Sequence, residues 1–360
     1  MARCAYEIHS LRQVSHNLKE RVSRDVKKPQ PISGSFSNSQ QRRFRKNLLA
    51  WYDLHRRDLP WRESRDPYRV WLSEIMLQQT RVAAVIEHYH EFLRRFPTVE
   101  KLAAAREASV LAAWSGLGYY RRARMMHAAA KVIVREYGGK FPETKEGLCE
   151  LPGIGRYTAA AIASIAFDEQ TAVVDGNVER VLQRASGKRL AGEELWEAAN
   201  RMLDAKRPGD FNQAMMELGA VVCTPRTPAC LTCPVVELCA TRGDLVAINK
   251  PAPQKKREIH YALDYRSRDG HGDEVFLVRR ARDASLMAGM WELPETLGGN
   301  GAANPCFTLR HSITVTDYAV RVWLVTAPSG LGGRWIPTSR LGHVALTGLA
   351  RKILREAKML

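Results

Sequence analysis

Two carboxylates and four cysteines carry most of the chemistry this sequence could perform. Glu74 lies in Trp71-Leu72-Ser73-Glu74-Ile75-Met76-Leu77-Gln78. On a helix, Glu74 and Gln78 share a face and form a polar stripe amid bulky apolar neighbours. Burial among such neighbours raises a carboxyl pKa and keeps the group protonated near neutral pH, the state a general acid needs. A solvated stripe is the plainer alternative. Asp175 follows a short apolar run in Val173-Val174-Asp175-Gly176-Asn177-Val178, where an aspartate is commonly a helix cap or turn residue. Cys223, Cys230, Cys233 and Cys239 form Cys-x6-Cys-x2-Cys-x5-Cys, in which only Cys230 and Cys233 make a close pair. Zinc ribbons and fingers bring two close pairs. Four thiolates can instead hold a cubane 4Fe-4S cluster, with structural zinc or inert thiols as alternatives. Cys4, Cys149 and Cys306 lie outside the pattern and read as ordinary thiols.

Positioning these groups falls to two kinds of element. Leu151-Pro152-Gly153-Ile154-Gly155 is a glycine turn opening into the Ala-rich stretch that starts at Arg156-Tyr157-Thr158. Glycines let backbone approach a ligand, and a helix N-terminus offers free N–H groups to a phosphate. From about residue 43 to 245 apolar residues recur at helical spacing, as in Ile75, Val82, Val85, Tyr89, Phe92 and Phe96, so this part is expected to be all-α. Residues 1–42 read as a basic leader, partly disordered, especially over 27–41. Residues 246–258 are polar and Pro-containing and read as a linker. Beyond it, over 259–360, period-two alternation in Glu274–Val278 and Tyr318–Val325 and an amphipathic helix over Val344–Ile353 predict a mixed α and β domain.

The chain has 360 residues, enough for two domains, and a formal net charge of +17. That charge favours a polyanion, nucleic acid foremost, although charge alone does not say which. No apolar stretch approaches the length of a membrane span, so no membrane association is expected. Seven cysteines, four crowded into one loop, fit a reducing cytosol better than a disulfide framework. A cytoplasmic, nucleoid-associated location is expected, with organelle targeting by the leader left open.

The hairpin and Asp175 together resemble the helix-hairpin-helix DNA glycosylases. The cysteine spacing resembles the 4Fe-4S loop of the endonuclease III and MutY branches of that superfamily. Pro60-Trp61-Arg62, Trp71-Leu72-Ser73-Glu74-Ile75-Met76-Leu77-Gln78-Gln79-Thr80, Gly116-Leu117-Gly118-Tyr119-Tyr120 and Leu151-Pro152-Gly153-Ile154-Gly155-Arg156-Tyr157 closely resemble MutY-type adenine DNA glycosylases, over roughly residues 45–245. The resemblance implies removal of adenine paired with 8-oxoguanine or guanine in double-stranded DNA by a monomer. It implies that Glu74 protonates adenine and then assists water, while Asp175, with Asn177 beside it, stabilises the sugar cation. Trp61, Arg62, Leu77 and Glu217 match the adenine pocket. Gln79 and Tyr119, with Gln78, match side chains at the opened duplex, and Leu151, Gly153, Gly155 and Arg156 match the DNA-gripping hairpin. Tyr157 stands where bifunctional endonuclease III enzymes carry a Schiff-base lysine, so strand cleavage is not expected. An endonuclease III-like pyrimidine glycosylase and lyase, or a non-catalytic iron-sulfur damage-binding module, is the alternative.

Met287-Ala288-Gly289-Met290-Trp291-Glu292-Leu293-Pro294 resembles the start of a Nudix-type fold, but Glu295-Thr296-Leu297-Gly298-Gly299-Asn300 supplies no Glu-rich metal-binding helix. Diphosphate hydrolysis is therefore not expected. In MutY proteins this domain recognises 8-oxoguanine through a loop containing Phe-Ser-His. The corresponding stretch here reads Phe307-Thr308-Leu309-Arg310-His311-Ser312, which keeps His311, offers Ser312 as a substitute and departs from the family pattern at Arg310. The expected fold is thus multidomain: an all-α helix-hairpin-helix glycosylase domain with an iron-sulfur loop, then an α+β Nudix-like domain.

Overall fold

The computed structural model describes residues 36–243, 255–268, 272–284, 286–298, 304–313 and 316–360. Most of the leader, Cys4 and the linker up to residue 254 lie outside the described residues. Helix α1 (Asn38–His55) begins where Ser37 accepts from the Gln40 amide and the Gln40 side chain returns to the Ser37 amide. This capping box corrects the reading of residues 38–41 as leader: their polar side chains start a helix. Phe44, Leu48, Leu49 and Tyr52 bury its other face.

Ten further helices complete this part of the described chain. They are α2 (Pro67–Leu77), α3 (Val82–Arg95), α4 (Val99–Ala104), α5 (Glu107–Trp114), α6 (Arg121–Tyr137), α7 (Lys145–Cys149), α8 (Arg156–Ala166), α9 (Gly176–Ser186), α10 (Gly192–Met202) and α11 (Pro208–Val221). Asp66 caps α2 by accepting from the Arg69 amide at 2.9 Å, and Pro67 occupies its first turn, where a missing N–H costs nothing. The helical pattern from Ile75 to Phe96 is two helices, because the chain turns at Gln79, whose φ is 54°. Helix α8 packs against α2, α7 and α11, which explains its composition. Ala159 to Ala163 are all fully buried, and small side chains let neighbours close on every face. Trp71, Trp114, Phe44, Phe92 and Phe211 fill the surrounding core, each contributing about 1.5–3 kcal/mol by burial.

Helix α11 approaches two others closely through glycines. A β-carbon on Gly209 would stand 2.5 Å from the Ser164 carbonyl oxygen, and one on Gly219 would stand 2.5 Å from Asn177 Cβ. Between them, buried Asn212 donates to Ser164 Oγ and to the Thr171 carbonyl, both at 2.9 Å, and accepts from the Val173 amide at 3.2 Å. One helix therefore holds the end of α8, the extended segment that leads to Asp175, and the start of α9.

From Lys255 onward the described elements are mainly strands: β1 (Lys255–Ala262), β2 (Tyr265–Arg268), β3 (Gly272–Arg279), β4 (Trp291–Glu292), β5 (Phe307–Ile313), β6 (Thr316–Trp323) and β7 (Gly333–Pro337), followed by helix α12 (Gly348–Glu356). One sheet has the order β1-β6-β5, with β1 parallel and β5 antiparallel to β6; in the other, β3 pairs with β2, β4 and β7. Leu349, Ala350, Ile353 and Leu354 of α12 pack with Val275, Leu277, Val320 and Val322 in a second core.

Four expectations need correction here. Residues 255–258, read as the end of the linker, are the start of β1, paired with Thr316–Ala319 of β6. Residues 307–312 are strand rather than loop, with His311 opposite Tyr318. Strand β6 starts at Thr316 and ends at Trp323, earlier at both ends than read. The last helix starts at Gly348 rather than Val344, because Thr347 accepts from the Ala350 amide and caps it there. Among the described residues no helix is long and apolar enough to cross a membrane.

Candidate active site

Glu74 comes from the inner face of α2 and is only 7% exposed. The Tyr157 hydroxyl, from the first turn of α8, donates to its Oε2 at 2.7 Å and also lies 3.3 Å from Met216 Sδ. Burial pushes the Glu74 pKa up to about 7; the nearby negative charge of Asp175 adds to this, while the Tyr157 bond and Arg62 oppose it. Burial likewise raises the Tyr157 pKa well above its usual value, so that hydroxyl keeps its proton. A carboxyl poised near neutrality beside a permanent donor can give a proton and take one back.

Asp175 opens the same pocket from the start of α9. Its Oδ1 accepts from the backbone amides of Asn177 and Val178 at 2.9 and 2.7 Å, and its Oδ2 from Asn177 Nδ2 at 2.8 Å. The aspartate is thus a helix cap and a pocket-lining carboxylate at once. Arg180 donates to Asn177 Oδ1 at 2.8 Å, to the Gly219 carbonyl at 2.6 Å and to the Cys223 carbonyl at 2.7 Å.

A third carboxylate, Glu217, sits at the opposite electrostatic extreme from Glu74. Burial would raise the pKa of Glu217, but hydrogen bonds from Arg57 and Arg62 outweigh it and hold the group at about 2. Arg57 Nε and Arg62 Nη2 reach Glu217 at 2.7 and 2.8 Å. One pocket therefore holds a carboxyl that titrates near neutrality and a carboxylate that stays ionised, a separation of roles produced by surroundings alone.

Trp61, Leu77, Gln78, Gln79, Tyr119 and Gly153 line the same pocket, joined from the C-terminal part by His311 and Ser312. Trp61 is also a core residue, edge-on to Tyr89 with ring centroids 5.6 Å apart. Gln78 donates to Thr158 Oγ1 at 3.3 Å. Gln79 and Tyr119 have φ of 54° and 46°, a left-handed backbone that non-glycine residues rarely adopt. Gly153 has φ +77°, and a β-carbon there would stand 2.5 Å from Met125 Cβ, so this turn needs glycine for conformation and for space. Other candidates point elsewhere. Leu151 is buried in the core, and Gly155, the N-cap of α8, is not among the pocket residues. Arg156 pairs with Glu193 and lies over the Trp196 ring at 4.1 Å, so it turns away from this pocket. Burial and the Lys352 charge lower the His311 pKa, favouring neutral imidazole.

The sequence reading missed Met216, Arg57 and Arg122. Arg122 caps the C-terminal end of α2, donating to the Ile75 and Met76 carbonyls at 2.8 and 3.0 Å and to the Gln78 carbonyl. Its other arm reaches Thr80 Oγ1 at 3.2 Å and the Leu117 and Gly118 carbonyls at 3.1 and 3.2 Å. Nothing local in the sequence signals it, because its partners on one side, three carbonyls and the Thr80 hydroxyl, are more than forty residues away.

Cys223, Cys230, Cys233 and Cys239 line one small cavity with Arg184, whose Nη1 lies 3.2 Å from Cys223 Sγ. Burial raises the Cys233 thiol to about 11, so its thiolate is favoured only beside compensating positive charge. Among the described residues, no three His, Cys, Asp or Glu side chains are grouped to clasp a single metal ion.

Residues 72–201 match the family model described as "HhH-GPD superfamily base excision DNA repair protein". The chain is 42% identical over 309 residues to an adenine DNA glycosylase of Mus musculus, an alignment covering 70% of this chain and 60% of that protein. Against the Homo sapiens adenine DNA glycosylase it is 50% identical over 214 residues, covering 55% and 39%. The chain thus spans 60% and 39% of these relatives' length, less than two thirds of either. Among solved structures, a thermostable thymine-DNA glycosylase aligns with a TM-score of 0.54 at 31% identity, covering 57% of this chain and 97% of that one. Endonuclease III trapped on DNA aligns with a TM-score of 0.51 at 22% identity over the same shares, which speaks to fold alone. The adenine DNA glycosylase of Schizosaccharomyces pombe is 33% identical over 325 residues, 72% of this chain and 70% of that protein. With a match of that extent on both sides, and with Glu74, Asp175 and Gly153 lining one pocket, the chain belongs to the adenine DNA glycosylase family of the HhH-GPD superfamily.

Proposed function

We propose that the protein hydrolyses the N-glycosidic bond of adenine mispaired with 8-oxoguanine or guanine in double-stranded DNA, and leaves an abasic site without cutting the strand. The observation that carries this reading is the 2.7 Å bond from Tyr157 to a buried Glu74 whose pKa stands near 7. Adenine leaves poorly until a ring nitrogen is protonated, and Glu74 holds a proton it can give up near neutral pH. As the bond to the sugar breaks, the electron pair departs with adenine and positive charge develops on the sugar, which the Asp175 carboxylate stabilises. Glu74, now ionised, takes a proton from the water that adds to the sugar carbon. Tyr157 orients Glu74 throughout and, having no amine, forms no Schiff base.

DNA would lie across the +17 chain, with the 151–155 turn against a phosphate and Gln79 and Tyr119 inserted beside the extruded nucleotide. The C-terminal domain is read as Nudix-like, with His311 and Ser312 at the base opposite adenine. Cys223, Cys230, Cys233 and Cys239 would hold a 4Fe-4S cluster. When bound, it would supply cross-links that fix the 223–239 loop, with its cationic character offsetting the buried thiolates.

The decisive product test is a duplex with adenine opposite 8-oxoguanine, analysed with and without hot alkali. Cleavage only after alkali is the expected outcome, with no covalent complex trapped by borohydride. Strand cleavage without alkali, or efficient trapping, would contradict the monofunctional assignment; intact adenine in both samples would contradict the glycosylase itself.

A further inference from the structure

Tyr119 sits in a turn that two parts of the chain hold from opposite sides. Gly116, Gly118 and Tyr119 have φ of 113°, 69° and 46°. Left-handed backbone at a non-glycine residue costs about 1–2 kcal/mol and persists only where the surroundings impose it. On the helical side, Arg122 binds the Leu117 and Gly118 carbonyls and Trp114 Nε1 donates to the Gly118 carbonyl at 3.2 Å.

The other side of the turn is held by the C-terminal domain. Arg351, on α12, donates Nε to Ser115 Oγ at 2.9 Å, and Ser115 Oγ donates to the Leu346 carbonyl at 2.7 Å. The Tyr120 hydroxyl donates to the same carbonyl at 3.1 Å, while the Gly116 amide donates to that hydroxyl at 3.4 Å. The fit is tight: a β-carbon at Gly116 would stand 3.0 Å from His88 Nε2 and 3.8 Å from Arg351 Cδ. Arg351 is half-buried, and burial and the charges of Arg355 and Arg95 lower its pKa. Among the described residues no carboxylate forms an ion pair with it. Taking a guanidinium partly out of water without a counter-charge is unfavourable, and the bond to Ser115 Oγ offsets part of that cost.

The same helix meets the strand that faces the pocket. A β-carbon at Gly348, the first residue of α12, would stand 3.9 Å from the His311 ring. A continuous path therefore runs from His311 through Gly348 and one turn of α12 to Arg351, Ser115 and the Tyr119 turn.

We propose that Arg351 is a positioning residue: through Ser115 it seats the C-terminal domain on the turn that carries Tyr119, so that contact with the base opposite adenine and extrusion of adenine are coupled through α12. This rests on the reading of Tyr119 as the inserted side chain. Arg351 touches neither DNA base in this account and acts by fixing the turn.

The test uses the full chain with Arg351→Met and, as the smaller perturbation, Ser115→Ala. Single-turnover excision is measured on adenine opposite 8-oxoguanine and on adenine opposite an abasic site, where extrusion breaks no base pair. A 2-aminopurine next to the adenine reports unstacking by its fluorescence. Both variants are expected to slow excision of the paired adenine, Arg351→Met on the order of tenfold, with a smaller fluorescence rise, while the rate on the abasic-opposed adenine matches the unsubstituted protein. Equal slowing of both substrates, or no slowing of either, overturns the coupling. Failure of the unsubstituted protein to excise adenine from either substrate would instead overturn the glycosylase reading.

Discussion

Glu74→Gln is expected to reduce adenine excision by about 10²–10⁴-fold while binding to the mispaired duplex persists, because glutamine keeps the shape and the Tyr157 contact but has no proton to give. Unchanged single-turnover rates would remove Glu74 from the role of acid. The same variant has a signature in stability. The folded state raises the Glu74 pKa from 4.5 to about 7, so it binds that proton more tightly than the unfolded chain does. The stability linked to this proton is fully present below pH 4.5 and is lost as pH rises through about 7. Relative to wild type, Glu74→Gln should therefore gain stability as pH rises, by roughly 3 kcal/mol above neutrality. A difference in melting temperature that does not widen with pH would contradict the burial of an ionisable group there.

Asp175→Asn separates the cap that this side chain forms from the electrostatic role proposed for it. Asparagine caps a helix about as well as aspartate, so the bonds to the Asn177 and Val178 amides should survive and α9 should keep its start. What disappears is the negative charge facing the sugar. Loss of one such electrostatic contact is expected to slow excision by about 10²–10³-fold with the fold intact. A folded variant with near-normal excision would mean that Asp175 is a cap and nothing more. An unfolded one would leave Asp175→Glu, which keeps the charge and displaces it, to decide: slow excision by that variant supports the charge, and normal excision contradicts its placement.

Much of this arrangement was legible in the sequence because it is local. The glycine turn at 151–155, the Ala-rich helix after it and the apolar neighbours of Glu74 lie within a few residues of the groups they serve. Long-range pairings were not legible. Glu217 is held ionised by Arg57 and Arg62, 160 and 155 residues away; the resemblance put Arg62 and Glu217 in one pocket, but their pairing was not readable and Arg57 does not stand out from the chain's many other arginines. Arg122 was invisible because all its partners but the Thr80 hydroxyl are carbonyls, which every residue possesses. Gly209 and Gly219 gave no turn signal; their role is to let α11 approach α8 and Asn177. Strand β5 carried a signal that went unread. Phe307, Leu309, His311 and Ile313 alternate with more exposed residues, but polar Arg310 and His311 disguised the period of two. The burial of Arg351 against Ser115 depends on docking between two domains, which no local pattern encodes.

The claim that Glu74 acts as the proton donor is tested most directly by the pH dependence of single-turnover adenine excision by the wild-type protein. The rate should be highest below pH 7 and fall, approaching about tenfold per pH unit, as pH rises through the Glu74 pKa of about 7. A rate that stays flat, or rises, between about pH 6 and 9 would contradict it.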